Sequence, residues 1–324
     1  MRRVIIDGHN DLVLRTWRGE PSLHVDLAAA EAADFAGGFF ALYVPSPGQP
    51  DPTEIPYTVP LPPRIPHEEA ARIADELFAT LCSLPVHRAR STADFAPGRV
   101  TAIVHLEGAE AIAEDLSNLE EWYDRGLRSL GITWSRPNQF AEGVPFAFPS
   151  SSDTGGGLTE AGCELVRACN RLGILVDVSH LNWAGFWDVA GMSDAPLVAT
   201  HSNAHALCAA SRNLTDEQLR AVRDSGGVVG VNFAVTFLRQ DGLEERATPL
   251  TEIVWHVDHF VEQMGIDHVA FGSDFDGAVV PEALGGVAGL PKLVEALRAA
   301  GYDEDGIAKI THRNWLRVLD ATWR

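Results

Sequence analysis

The sequence predicts an α/β fold, a (β/α)8 TIM barrel, from three observations. Eight short apolar runs recur along the 324 residues. Most of these runs are continuously apolar rather than alternating, which is typical of parallel strands covered on both faces. Segments of helical periodicity separate the runs, and alternating strands and helices favour a parallel barrel. A doubly wound open sheet is the alternative, although no Gly-x-Gly-x-x-Gly motif follows the first run.

The gaps between the predicted strands are long enough to hold helices. In chain order the strands are 4–6, 38–44, 100–106, 130–134, 174–178, 197–200, 228–233 and 269–272. The predicted helices are 68–83, 119–126, 159–172, 183–190, 216–225, 250–264, 290–300 and 305–321. Thr215 and Gln218 fit a capping box, and Gly173 stands where a helix-terminating glycine is expected.

The chain is longer than a minimal barrel of roughly 250 residues. We predict one domain over residues 1–324, with a proline-rich loop insertion at about 45–66 and C-terminal helices at about 290–322. Nine prolines fall between residues 45 and 66, so neither a helix nor a central strand fits there. Two smaller domains are the alternative for a chain of this length.

Charge and composition exclude several classes of partner. The chain has 25 Lys and Arg against 45 Asp and Glu, a net charge of −20, which argues against nucleic acid and against an anionic membrane. Asp7 interrupts the N-terminal apolar stretch after three residues, so we predict no signal peptide and a cytoplasmic protein. The four cysteines form no Cys-x-x-Cys pair, so neither disulfides nor a cysteine zinc site is expected.

Residues of metal-ligating type follow five of the eight predicted strands. In a barrel the carboxyl ends of the strands meet at one rim, where active sites lie. An isolated histidine at such a place is more often structural, but several together indicate a shared site. The set is His9 and Asp11, then Glu107, His180, His201 and Asp274.

The spacing and the residue types of this set suit a metal centre. His9 and Asp11 lie two residues apart in an extended segment, so their side chains point the same way. Apart from Asp274, the set has three imidazoles and two carboxylates, which suit zinc or a similar divalent ion. Because five ligands exceed the needs of one tetrahedral ion, two ions are expected, and Glu107 could bridge them.

Seven motifs of the chain resemble, in kind and in order, those of the membrane (renal) dipeptidase family of metallopeptidases, which belongs to the amidohydrolase-like barrels. The motifs are DGHND at 7–11, HLEG at 105–108, GLT at 157–159, DVSH at 177–180, THSN at 200–203, SRNL at 211–214 and GSDFDG at 272–277. The resemblance covers nearly the whole chain.

The resemblance implies a metal-dependent hydrolase that carries two Zn²⁺ ions per chain. His9 and Asp11 would bind one ion, Glu107 would bridge both ions, and His180 and His201 would bind the second. A water or hydroxide between the ions would attack the peptide carbonyl of a dipeptide with a free C-terminal carboxylate. The resemblance also implies tolerance of a C-terminal D-residue.

The resemblance assigns two further residues to the chemistry. Asp274 would take a proton from the attacking water and deliver one to the leaving amine. Arg212 would bind the substrate's carboxylate, which suits a planar guanidinium. Trp134 stands where some members have a substrate-facing histidine, and since tryptophan has no acid–base function, we expect it to line the substrate pocket.

Other functions remain open at this stage. Trp134 would suit another small amide, such as an N-acyl amino acid or a lactam, in a metal-dependent amidohydrolase. A non-catalytic metal-binding barrel is disfavoured because it would not need Asp274. The proline-rich segment could serve a homodimer. His24 and His256 belong to no motif and are expected to be surface or structural.

Overall fold

The computed structural model describes residues 4–46 and 54–324. Within these ranges, eight parallel strands lie side by side in chain order. They are β1 (Ile5–Asn10), β2 (Phe35–Tyr43), β3 (Thr101–Glu107), β4 (Leu127–Gly131), β5 (Leu175–Asp177), β6 (Val198–Ser202), β7 (Val228–Val231) and β8 (Val269–Phe271).

The sheet curls until its two edge strands meet. Asn10 at the end of β1 forms a parallel bridge with Phe275, just beyond β8. The Asp11 N–H donates to the Phe275 carbonyl at 2.8 Å, and the Asp274 N–H donates to the His9 carbonyl at 3.1 Å. The structure is therefore a nearly closed (β/α)8 barrel, which confirms the predicted fold class against the open-sheet alternative.

Helices surround the barrel and connect its strands. They are Leu12–Trp17, His67–Ser83, Leu119–Arg125, Glu160–Leu172, Trp183–Met192, Asp216–Asp224, Val235–Leu238, Thr251–Met264, Leu290–Ala299, Glu304–Ala308 and Asn314–Thr322. The predicted capping box forms between Thr215 and Gln218, and Gly173 ends its helix in the left-handed conformation. No helix in the described part of the chain is both long and apolar enough to cross a membrane.

The helix Asn314–Thr322 closes the amino-terminal end of the barrel. Its Trp315 is fully buried among interior strand residues such as Ile6 and Phe39, and its indole N–H donates to the Phe271 carbonyl at 3.0 Å. Asn314 donates to two further carbonyls beside β8. With this end sealed, the carboxyl-terminal rim is the open end at which a substrate can reach the barrel.

The C-terminal region departs from the prediction of one helix over 305–321. It contains the short helix Glu304–Ala308, a wider π-helical turn at Lys309–Arg313 and then Asn314–Thr322. The wider turn changes the phase of the helix, which brings Asn314 and Trp315 together onto the barrel end. A periodicity pattern does not show such a change of phase.

The proline-rich segment contributes a short ribbon beside the barrel. Tyr57–Val59 pairs antiparallel with Phe146–Phe148, which lies in the connection that follows β4. The described residues 54–66 contain neither a helix nor a barrel strand, as the prolines predict, and residues 47–53 lie outside the described residues. The assignment of residues 1–324 to one domain stays a prediction.

Candidate active site

The barrel brings the five predicted ligand residues together at its carboxyl-terminal rim. His9 and Glu107 are the penultimate and last residues of β1 and β3, His201 lies near the end of β6, and Asp11 and His180 follow β1 and β5. All five are buried, with at most 5% of their surface exposed. Because the carboxyl ends of these parallel strands lie side by side, their imidazoles and carboxylates meet at one place.

Glu107 lies at the centre of this cluster. Its Oε2 is 3.6 Å from His9 Nε2, and its Oε1 is 3.1 Å from His180 Nε2 and 3.7 Å from His201 Nε2. On the other side of His9, Nε2 is 3.4 Å from Asp11 Oδ2. One carboxylate is therefore shared by three imidazoles, as expected of a bridging ligand.

The chemistry of this donor set fits a metal centre. Burial lowers the pKa values of His180 and His201 well below the usual range, so both imidazoles are neutral and keep a lone pair. Burial raises the pKa of Glu107 to about 8, and nearby carboxylates add to the effect. Neither ring nitrogen of buried His9 has a hydrogen-bond partner among the described residues. Divalent cations would satisfy these groups together.

Among the described residues, two triads have ligand atoms that all lie within 4.8 Å of one another, and both triads contain His9. One triad is His9, Glu107 and His201, and the other is His9, Asp11 and Asp274. His180 is in neither triad, although it is the imidazole nearest to Glu107. The geometry thus supports a metal centre at this rim, with Asp274 beside His9 and Asp11.

Asp274 is held in an unusual backbone conformation beside the cluster. Its φ of 61° is left-handed, and Asn232 at the end of β7 donates to its Oδ2 at 2.9 Å. Burial raises the pKa of Asp274, which favours a carboxyl able to exchange a proton. A Cβ on Gly277 would lie 2.2 Å from Asp11 Oδ2 and 2.7 Å from Asp274 Oδ1, so any larger residue there would displace these carboxylates.

Two aspartates missed by the sequence analysis organise the rim. Asp7 accepts hydrogen bonds of 2.7 Å from both the N–H and the hydroxyl of Ser273, which fixes the start of the Asp274 loop. The Asp276 carboxylate accepts from Ser22 Oγ and from the N–H groups of residues 23 and 24. Both lie in the recognised motifs, but their partners are more than 200 residues away in sequence, so no local pattern identifies them.

Arg212 reaches the same cluster from the loop after β6. It is 3% exposed; its Nη1 donates to the Ser179 carbonyl, and its Nη2 donates to the His201 carbonyl at 3.2 Å. Nη2 also lies 3.2 Å from His180 Nε2. Burial lowers the pKa of Arg212 to about 10, so the guanidinium stays charged near neutral pH. The side chain presents a fixed positive charge at the cavity wall.

A cavity of about 490 Å³ opens above the cluster, and its lining includes Glu107, Asp274, Arg212 and Trp134. The Trp134 ring centroid lies 5.0 Å from that of Tyr43, 5.4 Å from that of Phe146 and 5.8 Å from that of His180. The structure thus places Trp134 in an aromatic wall of this cavity, next to a predicted ligand.

His24 and His256, which both lie outside the motifs, have different locations. His24 lies in the cavity wall, where its Nδ1 accepts from the Asp276 N–H at 2.9 Å, so it belongs to the pocket rather than to the remote surface. His256 is fully buried between the loops after β6 and β7, where it bonds the Ala204 N–H and the Leu238 carbonyl. His256 is structural, as expected.

A family model described as "Membrane dipeptidase (Peptidase family M19)" matches residues 1–323 of the chain. The chain belongs to the membrane dipeptidase family. The family is one of metallo-dipeptidases, which agrees with the buried cluster of imidazoles and carboxylates at the open rim. This membrane dipeptidase family member is therefore a metallo-dipeptidase.

Individual relatives of this family member include solved structures that match over its whole length. A metallo peptidase from Rhodobacter sphaeroides, liganded with a phosphinate mimic of the dipeptide L-Ala-D-Ala, is 46% identical with a TM-score of 0.96, and the match covers 100% of both chains. The dipeptidase AC structure is 47% identical with a TM-score of 0.94, covering 100% of this chain and 99% of that one. An uncharacterised Klebsiella pneumoniae protein, named from the pqqA 5′ region, is 51% identical over 78% of this chain and 92% of its own length.

Proposed function

We propose that this chain hydrolyses dipeptides that have a free C-terminal carboxylate, with two Zn²⁺ ions per chain. One observation carries the proposal: the buried Glu107 carboxylate lies between 3.1 and 3.7 Å from Nε2 of His9, His180 and His201. A carboxylate that faces three imidazoles can bridge two metal ions.

The proposed ligands are the five residues of the rim cluster. His9 and Asp11 would hold one ion, His180 and His201 the other, and Glu107 both. When bound, the two ions would acidify the attacking water and polarise the scissile carbonyl. The cluster is buried, so bulk water does not screen its charged groups, and electrostatic interactions with the ions and the substrate would be strong.

Asp274 is the proposed proton carrier. It lies in one candidate triad with His9 and Asp11, its side chain reaches the cavity, and Asn232 holds one of its oxygens. Because only Oδ2 accepts from Asn232, Oδ1 is left to accept a proton from the attacking water and to pass it to the leaving amine. A positioned carboxyl of this kind contributes about 10²–10⁴-fold to a rate.

Arg212 is the proposed anchor for the substrate's C-terminal carboxylate. The guanidinium is held by two backbone carbonyls next to the metal cluster, and it faces a cavity of about 490 Å³, which suits a small substrate. The Rhodobacter sphaeroides relative binds a mimic of L-Ala-D-Ala, which supports a dipeptide substrate that can end in a D-residue here. Trp134 would form one wall of this subsite.

Trp134 also motivates a second candidate substrate. Together with Tyr43 and Phe146 it makes one side of the cavity aromatic and apolar, which would suit the acyl group of an N-acyl amino acid or a lactam. Both candidates use the same metal cluster and the same carboxylate anchor. The dipeptide and the N-acyl amino acid differ only in the acyl group of the scissile amide, which carries a free amine in the dipeptide.

A substrate panel separates the two candidates. Purified zinc-loaded protein is assayed with L-Ala-L-Ala, L-Ala-D-Ala, the C-terminal amide of each, and N-acetyl-alanine. The proposal expects hydrolysis of the free dipeptides, with both amides cleaved far more slowly. Faster cleavage of N-acetyl-alanine than of either dipeptide would support the second candidate, and cleavage of none would contradict both. A cytoplasmic location and a homodimer remain predictions.

A further inference from the structure

Two residues of the recognised motifs, Asp177 and Thr200, have no role in the chemistry described above. Asp177 is the last residue of β5 and Thr200 lies in β6, one residue before His201. They are 3% and 0% exposed, so both lie in the barrel interior beneath the metal cluster. Polar side chains that are buried so completely need hydrogen-bond partners, and here these partners connect Asp177 through Thr200 to the predicted ligand His201.

The Asp177 carboxylate is fully engaged by donors from two neighbouring segments. Its Oδ1 accepts from the Ser179 N–H at 3.0 Å, the Ser179 hydroxyl at 2.5 Å and the Thr200 N–H at 2.9 Å. Its Oδ2 accepts from the Thr200 hydroxyl at 2.6 Å. The carboxylate is therefore held rigidly. Among the described residues, the one hydrogen bond that Oδ2 accepts comes from the Thr200 hydroxyl.

The direction of the next hydrogen bond follows from proton counting. A threonine hydroxyl carries one proton, and Thr200 gives that proton to Asp177. Thr200 Oγ1 also lies 2.8 Å from His201 Nδ1. The hydroxyl can only accept in this second contact, so His201 must carry its proton on Nδ1 and its lone pair on Nε2.

We propose that Asp177 and Thr200 are positioning residues that fix the tautomer and ring orientation of His201, so that its Nε2 is always ready to bind a metal ion. This inference rests on the proposed function. Nε2 is the atom of His201 that points at Glu107 and lies 3.1 Å from His180 Nε2. A carboxylate–hydroxyl–imidazole chain thus does for His201 what a directly bonded carboxylate does for many metal-binding histidines.

His180 lacks an equivalent chain. Its Nδ1 lies 3.1 Å from Ser135 Oγ, but no carboxylate within the described residues fixes the direction of that hydroxyl. Ser135 can therefore donate or accept. The contact that bears on the tautomer of His180 is instead at Nε2, where Arg212 Nη2, which can only donate, lies 3.2 Å away. The carboxylate–hydroxyl chain is therefore assigned to His201 alone.

The first test measures metal affinity in matched variants. Thr200→Val keeps the shape of the side chain and removes the hydroxyl, Thr200→Ser keeps the hydroxyl, and Thr322→Val removes a buried hydroxyl that bonds only a helix carbonyl. Each metal-stripped protein is titrated with Zn²⁺ against a chromogenic chelator. We expect one Zn²⁺ site to lose about 10–100-fold in affinity in Thr200→Val and to be unchanged in the other two variants.

The second test measures the tautomer of His201 directly in protein of wild-type sequence. Metal-stripped protein with ¹⁵N-labelled histidine is examined by two-bond ¹H–¹⁵N correlation, and the His201 signals are assigned by their loss in His201→Gln. We expect protonated Nδ1 and unprotonated Nε2, and this result does not depend on the folding of Thr200→Val. Protonated Nε2, or wild-type affinity in a folded Thr200→Val, would overturn the inference alone. A wild-type protein that binds no Zn²⁺ would overturn the proposed function as well.

Discussion

The Nε2 atoms of His180 and His201 lie 3.1 Å apart and face the same carboxylate oxygen of Glu107. Burial keeps both imidazoles neutral, so neither ring brings a positive charge to this carboxylate. Two neutral ring nitrogens and a carboxylate oxygen so close together are a suitable set of ligands for a divalent cation. This relationship is the strongest structural reason to place a metal ion at the rim.

Replacing Glu107 with Gln should remove the shared ligand and leave the fold in place. The amide has nearly the same shape but no negative charge, so it cannot bridge two cations. We expect the zinc content to fall below that of the wild type and kcat/KM for L-Ala-L-Ala to fall at least about 100-fold. Metal analysis of the purified variant and a steady-state assay check both effects. Wild-type zinc content with wild-type activity would remove Glu107 from the ligand set.

Replacing Asp274 with Asn should separate proton transfer from metal binding. The amide can keep the contact with Asn232 but cannot exchange a proton, so kcat should fall by about 10²–10⁴-fold while zinc content stays near that of the wild type. Asp224 is an exposed carboxylate outside the cavity lining. Asp224→Asn is therefore the matched control and should leave kcat unchanged. An Asp274→Asn variant with normal kcat would reject the proton-carrier role.

Replacing Arg212 with Gln should affect substrates that have a free carboxylate more than those without one. Loss of a charge-assisted hydrogen-bond donor is worth about 10- to 100-fold in kcat/KM for L-Ala-L-Ala, whereas the C-terminal amide should change little. Exposed Arg167→Gln serves as the control. Since Arg212 also bonds backbone carbonyls, a thermal melt shows whether the variant is folded. An equal loss for acid and amide would contradict the carboxylate-anchor role.

His256 should make the stability of the protein depend on pH. Burial lowers its pKa to about 4 from an ordinary value of 6.5. Between pH 6.5 and 4 the unfolded chain binds a proton at this imidazole and the folded chain does not, so stability falls as the pH falls through this window. The effect amounts to about 3 kcal/mol at most. His256→Gln, which keeps a donor and an acceptor, should flatten the pH dependence of the free energy of unfolding, measured by urea denaturation. The same slope in both proteins would contradict this role.

The barrel and the cluster of imidazoles and carboxylates at its rim could be predicted because both follow from local sequence. Most of the eight strands coincide with largely apolar runs. Because active sites lie at the carboxyl ends of barrel strands, positions such as His9, Glu107 and His201 are expected to be neighbours. Trp134 in the cavity wall follows from the same rule, since it stands just after β4.

The parts that could not be predicted depend on long-range partners or on small changes of geometry. The hydrogen bonds of Asp7 with Ser273 and of Asp276 with the loop after β1 join residues at opposite ends of the chain. The pairing of Tyr57–Val59 with Phe146–Phe148 likewise joins two connections that carry no recognisable strand pattern. The helix Leu12–Trp17 is short and follows the site directly, so its periodicity is too brief to detect.

The central claim is that two Zn²⁺ ions held by the rim cluster make the chain a dipeptidase. The most direct measurement is the hydrolysis of L-Ala-L-Ala by chelator-stripped protein as Zn²⁺ is added back in known equivalents. We expect negligible activity in the stripped protein and recovery that reaches a plateau at two equivalents per chain. Full activity in protein shown by elemental analysis to contain no metal would contradict it.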